Sequence, residues 1–175
     1  MAFAATSPQL EWRDPVYITA GFAGILALGL LLVQPLLIAG DLPGLEAVRG
    51  RRVHRWIGVA LVVAVLVHVG GLWITSPPDM IDALTFTSPT PFSPFGVIAM
   101  WAIFATALLA VSRQRLGLRL RTWRVTHVSL AVIIVVGSVI HGLLIEGTME
   151  TMSKMALCAL VVLATSKIVV SKWTR

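Results

Sequence analysis

The chain has 175 residues, is 57% hydrophobic and only 13% charged, and has a mean hydropathy of +0.89. So little charge excludes an ordinary soluble domain and makes the lipid bilayer the natural solvent. The formal charge of +6 is no nucleic-acid footprint either, because the basic residues gather at the ends of apolar runs.

In chain order, the first residues (MAFAATSPQLEWRDP) are mixed and polar, without the basic start and immediate apolar core of a removable signal peptide. A first span is predicted over Val16–Ile38, too long for a signal-peptide core, with a kink or unwound turn at Gln34 and Pro35. Further spans follow over His54–Ile74, Gly96–Val111, Val125–Ile145 and Met155–Val170. The segment Thr75–Pro94 holds Asp79, Asp82 and several prolines and reads as a solvated loop with at most a weak attraction for ferric ions. The single cysteine, Cys158, reads as a small apolar packing residue, as do Met149, Met152 and Met155 at helical spacing. In lipid every backbone polar group needs an internal partner, so the predicted fold is an all-α polytopic helical bundle of about five transmembrane helices, in one domain.

The basic residues orient it. Arg49, Arg51, Arg52 and Arg55 lie between spans one and two. Arg113, Arg115, Arg119, Arg121 and Arg124 lie between spans three and four, and Lys167, Lys172 and Arg175 end the chain. Five spans put all three clusters on one side, which the positive-inside rule makes cytoplasmic. The N-terminus and the turn around Glu146–Glu150 then face outward, as expected of an integral protein of the bacterial inner (plasma) membrane. The partner implied by this charge is anionic lipid, not nucleic acid.

All four histidines lie within or at the edge of two of these spans, as His54/His68 and His127/His141, each pair 14 residues apart. Fourteen residues are about 3.9 helical turns, so paired imidazoles emerge within ~40° of one face and roughly 21 Å apart along the axis. That separation forbids both members of a pair from binding one ion, and zinc wants three or four ligands at one point. Haem iron takes two axial ligands from opposite sides, which two facing helices supply. With one span between them the two histidine-bearing spans run in the same direction. His54 therefore matches His127 near the cytoplasm and His68 matches His141 nearer the outside, giving two metal levels. No carboxylate lies in either span, which argues against a proton relay. Isolated packing histidines in a haem-free scaffold are the bland alternative. Gly58, Gly70, Gly71, Gly137 and Gly142 offer space for a macrocycle, although ordinary helix packing uses glycine too. Arg52, Arg55, Arg121 and Arg124 flank the inner level and could pair with propionates. The outer level has only Trp73, Thr75, Ser76 and Lys154 nearby.

At RRVHRWIGVALVVAVLVHVGGLW (Arg51–Trp73) and RTWRVTHVSLAVIIVVGSVIHGLL (Arg121–Leu144) the chain resembles the ferric reductase-like transmembrane domain family. That family includes the membrane parts of ferric-chelate reductases and NADPH oxidases. The resemblance covers roughly Leu45–Leu144, and the family commonly has six spans where five are read here. It implies that His54, His68, His127 and His141 are axial ligands of two b-type haems, with Arg52, Arg55 and Arg124 among the cofactor-binding residues. Oxidase and reductase members often continue into a flavin and nicotinamide domain. This sequence has no GxGxxG fingerprint, so FAD or FMN is expected only on a partner or weakly bound. Some bacterial relatives are haem subunits serving a periplasmic methionine sulfoxide reductase. They lack the first of the four histidines, and His54 favours the two-haem type. The expected function is a membrane cytochrome carrying electrons from a cytoplasmic flavoprotein reductase to an outer acceptor, ferric iron or a periplasmic protein. No catalytic side chain of its own is expected.

Overall fold

Asp14 starts the bundle. Its carboxylate accepts the Val16 N–H at 2.7 Å, and Pro15 fills the first helical position, where a missing N–H costs nothing. Helix α1 runs Pro15–Ala39 and stops at Gly40, whose φ of 75° is the left-handed conformation that glycine adopts freely. The computed structural model describes residues 13–40, 47–146 and 149–173. After α1 come α2 (Ala47–Thr75), α3 (Pro77–Leu84), α4 (Ser93–Ser112), α5 (Leu120–Leu144) and α6 (Thr151–Trp173), with no strand among the described residues. The polar start of the chain up to residue 12, Leu45 and Arg175 lie outside the described residues, as does part of the turn before Glu150.

Five of these helices are long and apolar enough to cross a membrane, and only 17–28% of each apolar stretch is buried within the protein. The remaining apolar surface, including Trp56, Leu108, Val111 and Leu163, is left for lipid to cover. The protein is an all-α, polytopic integral membrane bundle.

Three departures from the sequence expectation have simple causes. Helix α2 begins at Ala47, well before His54, because long arginine side chains can snorkel and let a helix project past the hydrocarbon. Helix α1 continues through Gln34 and Pro35 without an unwound turn; proline removes one N–H, to the Leu31 carbonyl, and packed neighbours hold the rest. The presumed loop after Thr75 contains α3. Two prolines fit its first turn and Asp79 complements the positive end of its dipole, signals too short to stand out in hydropathy. Asp79 accepts from the Ser76 hydroxyl at 2.6 Å, and the Asp82 carbonyl accepts the Thr87 and Ser88 N–H groups. Both acidic residues help to shape the turn, and both remain exposed.

The spanning helices pack in a ring: α1 on α2, α2 on α4, α4 on α5, α5 on α6, and α6 back on α1. The tightest contacts are within α1–α2 and α4–α5, and each depends on a glycine. A Cβ at Gly71 would lie 2.8 Å from the Ala20 Cβ, and one at Gly137 would lie 2.9 Å from the Phe95 carbonyl oxygen. In lipid, where apolar burial gives no drive between helices, such backbone approach is a main source of attraction. The buried core occupies the middle of the ring, with Leu61, Ala64 and Val65 from α2 and Ile134 and Val135 from α5. Val97, Met100, Ala102 and Ile103 of α4, Ala27 and Leu31 of α1 and Val161 of α6 complete it. Mostly aliphatic side chains, with no tryptophan among the described buried residues, therefore fill the layer between the two histidine levels.

Gly137→Val is expected to destabilise by about 1–3 kcal/mol, since the methyls must displace backbone of α4. Gly70 has nothing within 4 Å of its would-be Cβ. Gly70→Ala is therefore expected to be neutral or stabilising by up to about 1 kcal/mol. Thermal unfolding in detergent checks both: a lower midpoint for the first and an unchanged or higher one for the second.

Candidate functional site

Helices α2 and α5 carry all four histidines, yet they are not among the closely packed helix pairs. Their imidazoles meet across the space that this leaves. The His54 and His127 ring centroids are 6.3 Å apart with an interplanar angle of 66°. Those of His68 and His141 are 6.4 Å apart at 81°. Two pairs at different depths thus share nearly one separation. No group of three or more His, Cys, Asp or Glu side chains converges among the described residues, so the imidazoles meet strictly in twos.

The neighbouring helices set how the rings stand. His68 Nδ1 donates to the Ala20 carbonyl of α1 at 2.8 Å, and His141 Nδ1 donates to the Phe92 carbonyl, just before α4, at 3.0 Å. His54 Nδ1 donates to the Gln34 carbonyl over a longer 3.4 Å. A carbonyl only accepts, so each of these Nδ1 atoms carries the proton and the lone pair is on Nε2. A backbone partner on one nitrogen is the usual way a ligating imidazole has its tautomer fixed and its other nitrogen made more basic. Among the described residues His127 has no such bond, and its Nδ1 is buried without a hydrogen-bond partner.

With this arrangement in view, the comparison with known families is decisive at the coarse level. Residues 20–138 match the ferric reductase like transmembrane component family, well over half of the chain. The chain belongs to that family. The match takes in His54, His68 and His127 and stops just short of His141. No curated protein and no solved structure matches the chain. Family membership supports a redox membrane component of oxidoreductase type.

The other residues expected at this ferric reductase-like site are placed less uniformly. Arg52, Arg55 and Arg124 are all exposed. Arg52 and Arg55 line an open groove of about 350 Å³ with Trp56 and Val59, all on α2. On a helical wheel they stand about 200° and 100° from His54, so they face mainly away from its ring. Arg124 is only about 60° from His127 and shares its side of α5. At the outer level Lys154 donates to the Ile145 carbonyl at 2.8 Å and the Leu143 carbonyl at 3.4 Å, capping the end of α5. The Thr75 and Ser76 hydroxyls donate to the Gly71 carbonyl and to Asp79. These outer polar groups are engaged locally. Of the glycines picked out for macrocycle space, Gly71 and Gly137 serve helix contacts instead.

Sequence reasoning missed the glycines that shelter the histidines. A Cβ at Gly24 would lie 3.0 Å from His68 Nδ1, and one at Gly96 would lie 2.6 Å from His141 Nδ1. Each glycine follows by four residues the carbonyl that its histidine binds, Ala20 and Phe92. One helical turn beyond the acceptor, the ring edge needs a surface without a side chain. The readable signal was a glycine at matching depth on the helix preceding each histidine helix, a relation visible only once the helices are paired. Trp123, which opens the Trp-Arg-x-x-His entry to α5, was not read as a site residue; it stacks on His127 with centroids 5.1 Å apart and planes at 22°. Its place one turn before the histidine could have shown it.

Gly96→Ala is expected to push the His141 ring off Phe92 and break its hydrogen bond, a net loss of about 1 kcal/mol or more. Gly24→Ala, with a less severe approach, is expected to lengthen the His68 bond without abolishing it. Nitrogen NMR on histidine-labelled protein reads each Nδ1–H environment directly.

Proposed function

We propose that this chain is a two-haem b-type membrane cytochrome carrying electrons across the plasma (bacterial inner) membrane. In this reading it connects a cytoplasmic flavoprotein reductase, the carrier of FAD or FMN, with an acceptor on the outer side. The observation that carries the reading is the common separation of the two imidazole pairs. A ligating imidazole nitrogen lies about 2 Å from its metal and about 1 Å from its own ring centre, so two on opposite sides of one iron have centres about 6 Å apart. The pairs here stand at 6.3 and 6.4 Å. The Nδ1 bonds of His54, His68 and His141 leave Nε2 free to ligate, and the loose α2–α5 packing favours room for a flat group between the pairs.

Haem held by two imidazoles supplies one-electron chemistry with no open coordination position. The protein's own residues do the rest. His54 and His127 would hold one group and His68 and His141 the other. The aliphatic core between the levels excludes water, and Arg124 offers a cation on the His127 side of the inner level. Exposed Arg113, Arg115, Arg119, Arg121 and Arg124 form a basic surface on which an acidic donor protein can dock, faster at low salt than at high.

Pyridine haemochrome quantification of purified protein is expected to give two haems per chain, falling to one in His68→Ala and in His127→Ala. A colourless, fully folded protein from haem-replete cells would sink the proposal and leave a haem-free scaffold. With a flavin reductase as donor, reoxidation by ferric chelate supports direct reduction of a small acceptor. Reduced haems that persist until a periplasmic oxidoreductase is added instead assign the chain to a larger complex.

A further inference from the structure

The four imidazoles are not held alike. The outer pair has two short bonds to backbone carbonyls, 2.8 Å for His68 and 3.0 Å for His141. At the inner level His54 has one of 3.4 Å, and His127 has none. What touches the His127 ring is Trp123, nearly parallel to it at 5.1 Å. Over the same indole lies the Arg113 guanidinium, 5.0 Å from the ring centroid, reaching from the end of α4. Arginine, tryptophan and histidine thus form a connected stack at the basic end of the bundle.

We propose that Trp123, clamped by Arg113, is the positioning residue for His127, standing in for the missing backbone hydrogen bond and making the inner metal level electronically distinct from the outer one. The inference rests on the haem reading above. A hydrogen bond from Nδ1–H to a carbonyl fixes a ring's rotation and also pushes electron density toward the ligating nitrogen. A stack fixes the ring's plane and supplies none of that density. The cation over the indole draws π density the other way. A less basic ligand set favours ferrous over ferric iron, so the His54/His127 level has the higher reduction potential. The short outer bonds and the weak inner ones act in the same direction.

The same stack ties the α4–α5 connection to the ligand. Arg113 closes α4 and Trp123 lies in the first turn of α5, so both ends of that connection meet at the indole that stacks on His127. A protein docking on this basic surface would touch the exposed guanidinium directly.

The test begins with haem content and redox titration of the wild-type protein, then repeats both in the His68→Ala background, where only the inner level remains. Trp123→Leu is expected to lower occupancy of that level to below half, or to broaden its low-spin ferric EPR signal. Trp123→Phe, which keeps a stacking ring, is expected to restore both. Arg113→Gln is expected to leave occupancy intact and lower the inner midpoint potential, with the outer midpoint of the two-haem protein unmoved. Unchanged EPR and midpoints in Trp123→Leu, or a Phe variant as impaired as the Leu one, overturn the proposal. So does an outer level perturbed as much as the inner. If Trp123→Leu does not fold, the Phe and Arg113→Gln variants decide by the same criteria. A wild-type protein without haem overturns the haem reading itself; two haems with insensitive variants overturn the positioning role alone.

Discussion

An imidazole in hydrocarbon has no water for its second nitrogen, and here a carbonyl of the adjacent helix takes that place. The bonds from His68 to Ala20 and from His141 to Phe92 settle more than two side chains. They fix which nitrogen is free and which face of α2 meets α1 and of α5 meets α4. They also require glycine at position 96, where a methyl would occupy the space of the ring, and favour it at position 24, where a methyl would crowd the ring. Helix pairing and imidazole presentation are therefore one constraint. A helix pair that slipped by a residue would lose both the bond and the cleared surface beside it.

The same constraint explains what the sequence could and could not reveal. Five spans were legible because hydrocarbon thickness demands long apolar runs, and the depth pairing of His54 with His127 followed from spacing and direction alone. The extension of α2 back to Ala47 was not, because arginines at a helix end look like a loop to any hydropathy measure. Helix α3 was hidden by its eight-residue length and double proline. Gly24 and Gly96 act only through contacts with histidines on another helix, so no pattern within their own spans set them apart. The arginines are the instructive case. Charge near a histidine in sequence is not charge near its ring, and Arg52 stands on nearly the opposite face of α2 from His54. A topology signal and a cofactor contact read identically until the helix face is known.

The bundle contains one unit twice. In α1–α2 and again in α4–α5, an outer carbonyl, a glycine four residues later and a histidine on the next helix recur in the same relation. Repetition with the same orientation relates the halves by a pseudo-twofold axis along the membrane normal. Equivalent histidines then face each other across that axis, one pair at each depth. The inner end is where the halves diverge: the unit with Gln34 has a backbone bond to its histidine, and the other has an aromatic stack.

Helix α6 belongs to neither half and carries no histidine, yet it is the strut between them, buried against both through Val161 and Cys158. Since α2 and α5 scarcely touch, the distance between facing imidazoles is the closing dimension of a five-member frame. Metal–ligand bonds tolerate errors of only about 0.2 Å, far less than helix packing ordinarily guarantees. Part of the dimensional accuracy of both imidazole levels thus falls to a helix with no histidine of its own, and a bulky change at Val161 would act as a mis-cut spacer at two depths at once.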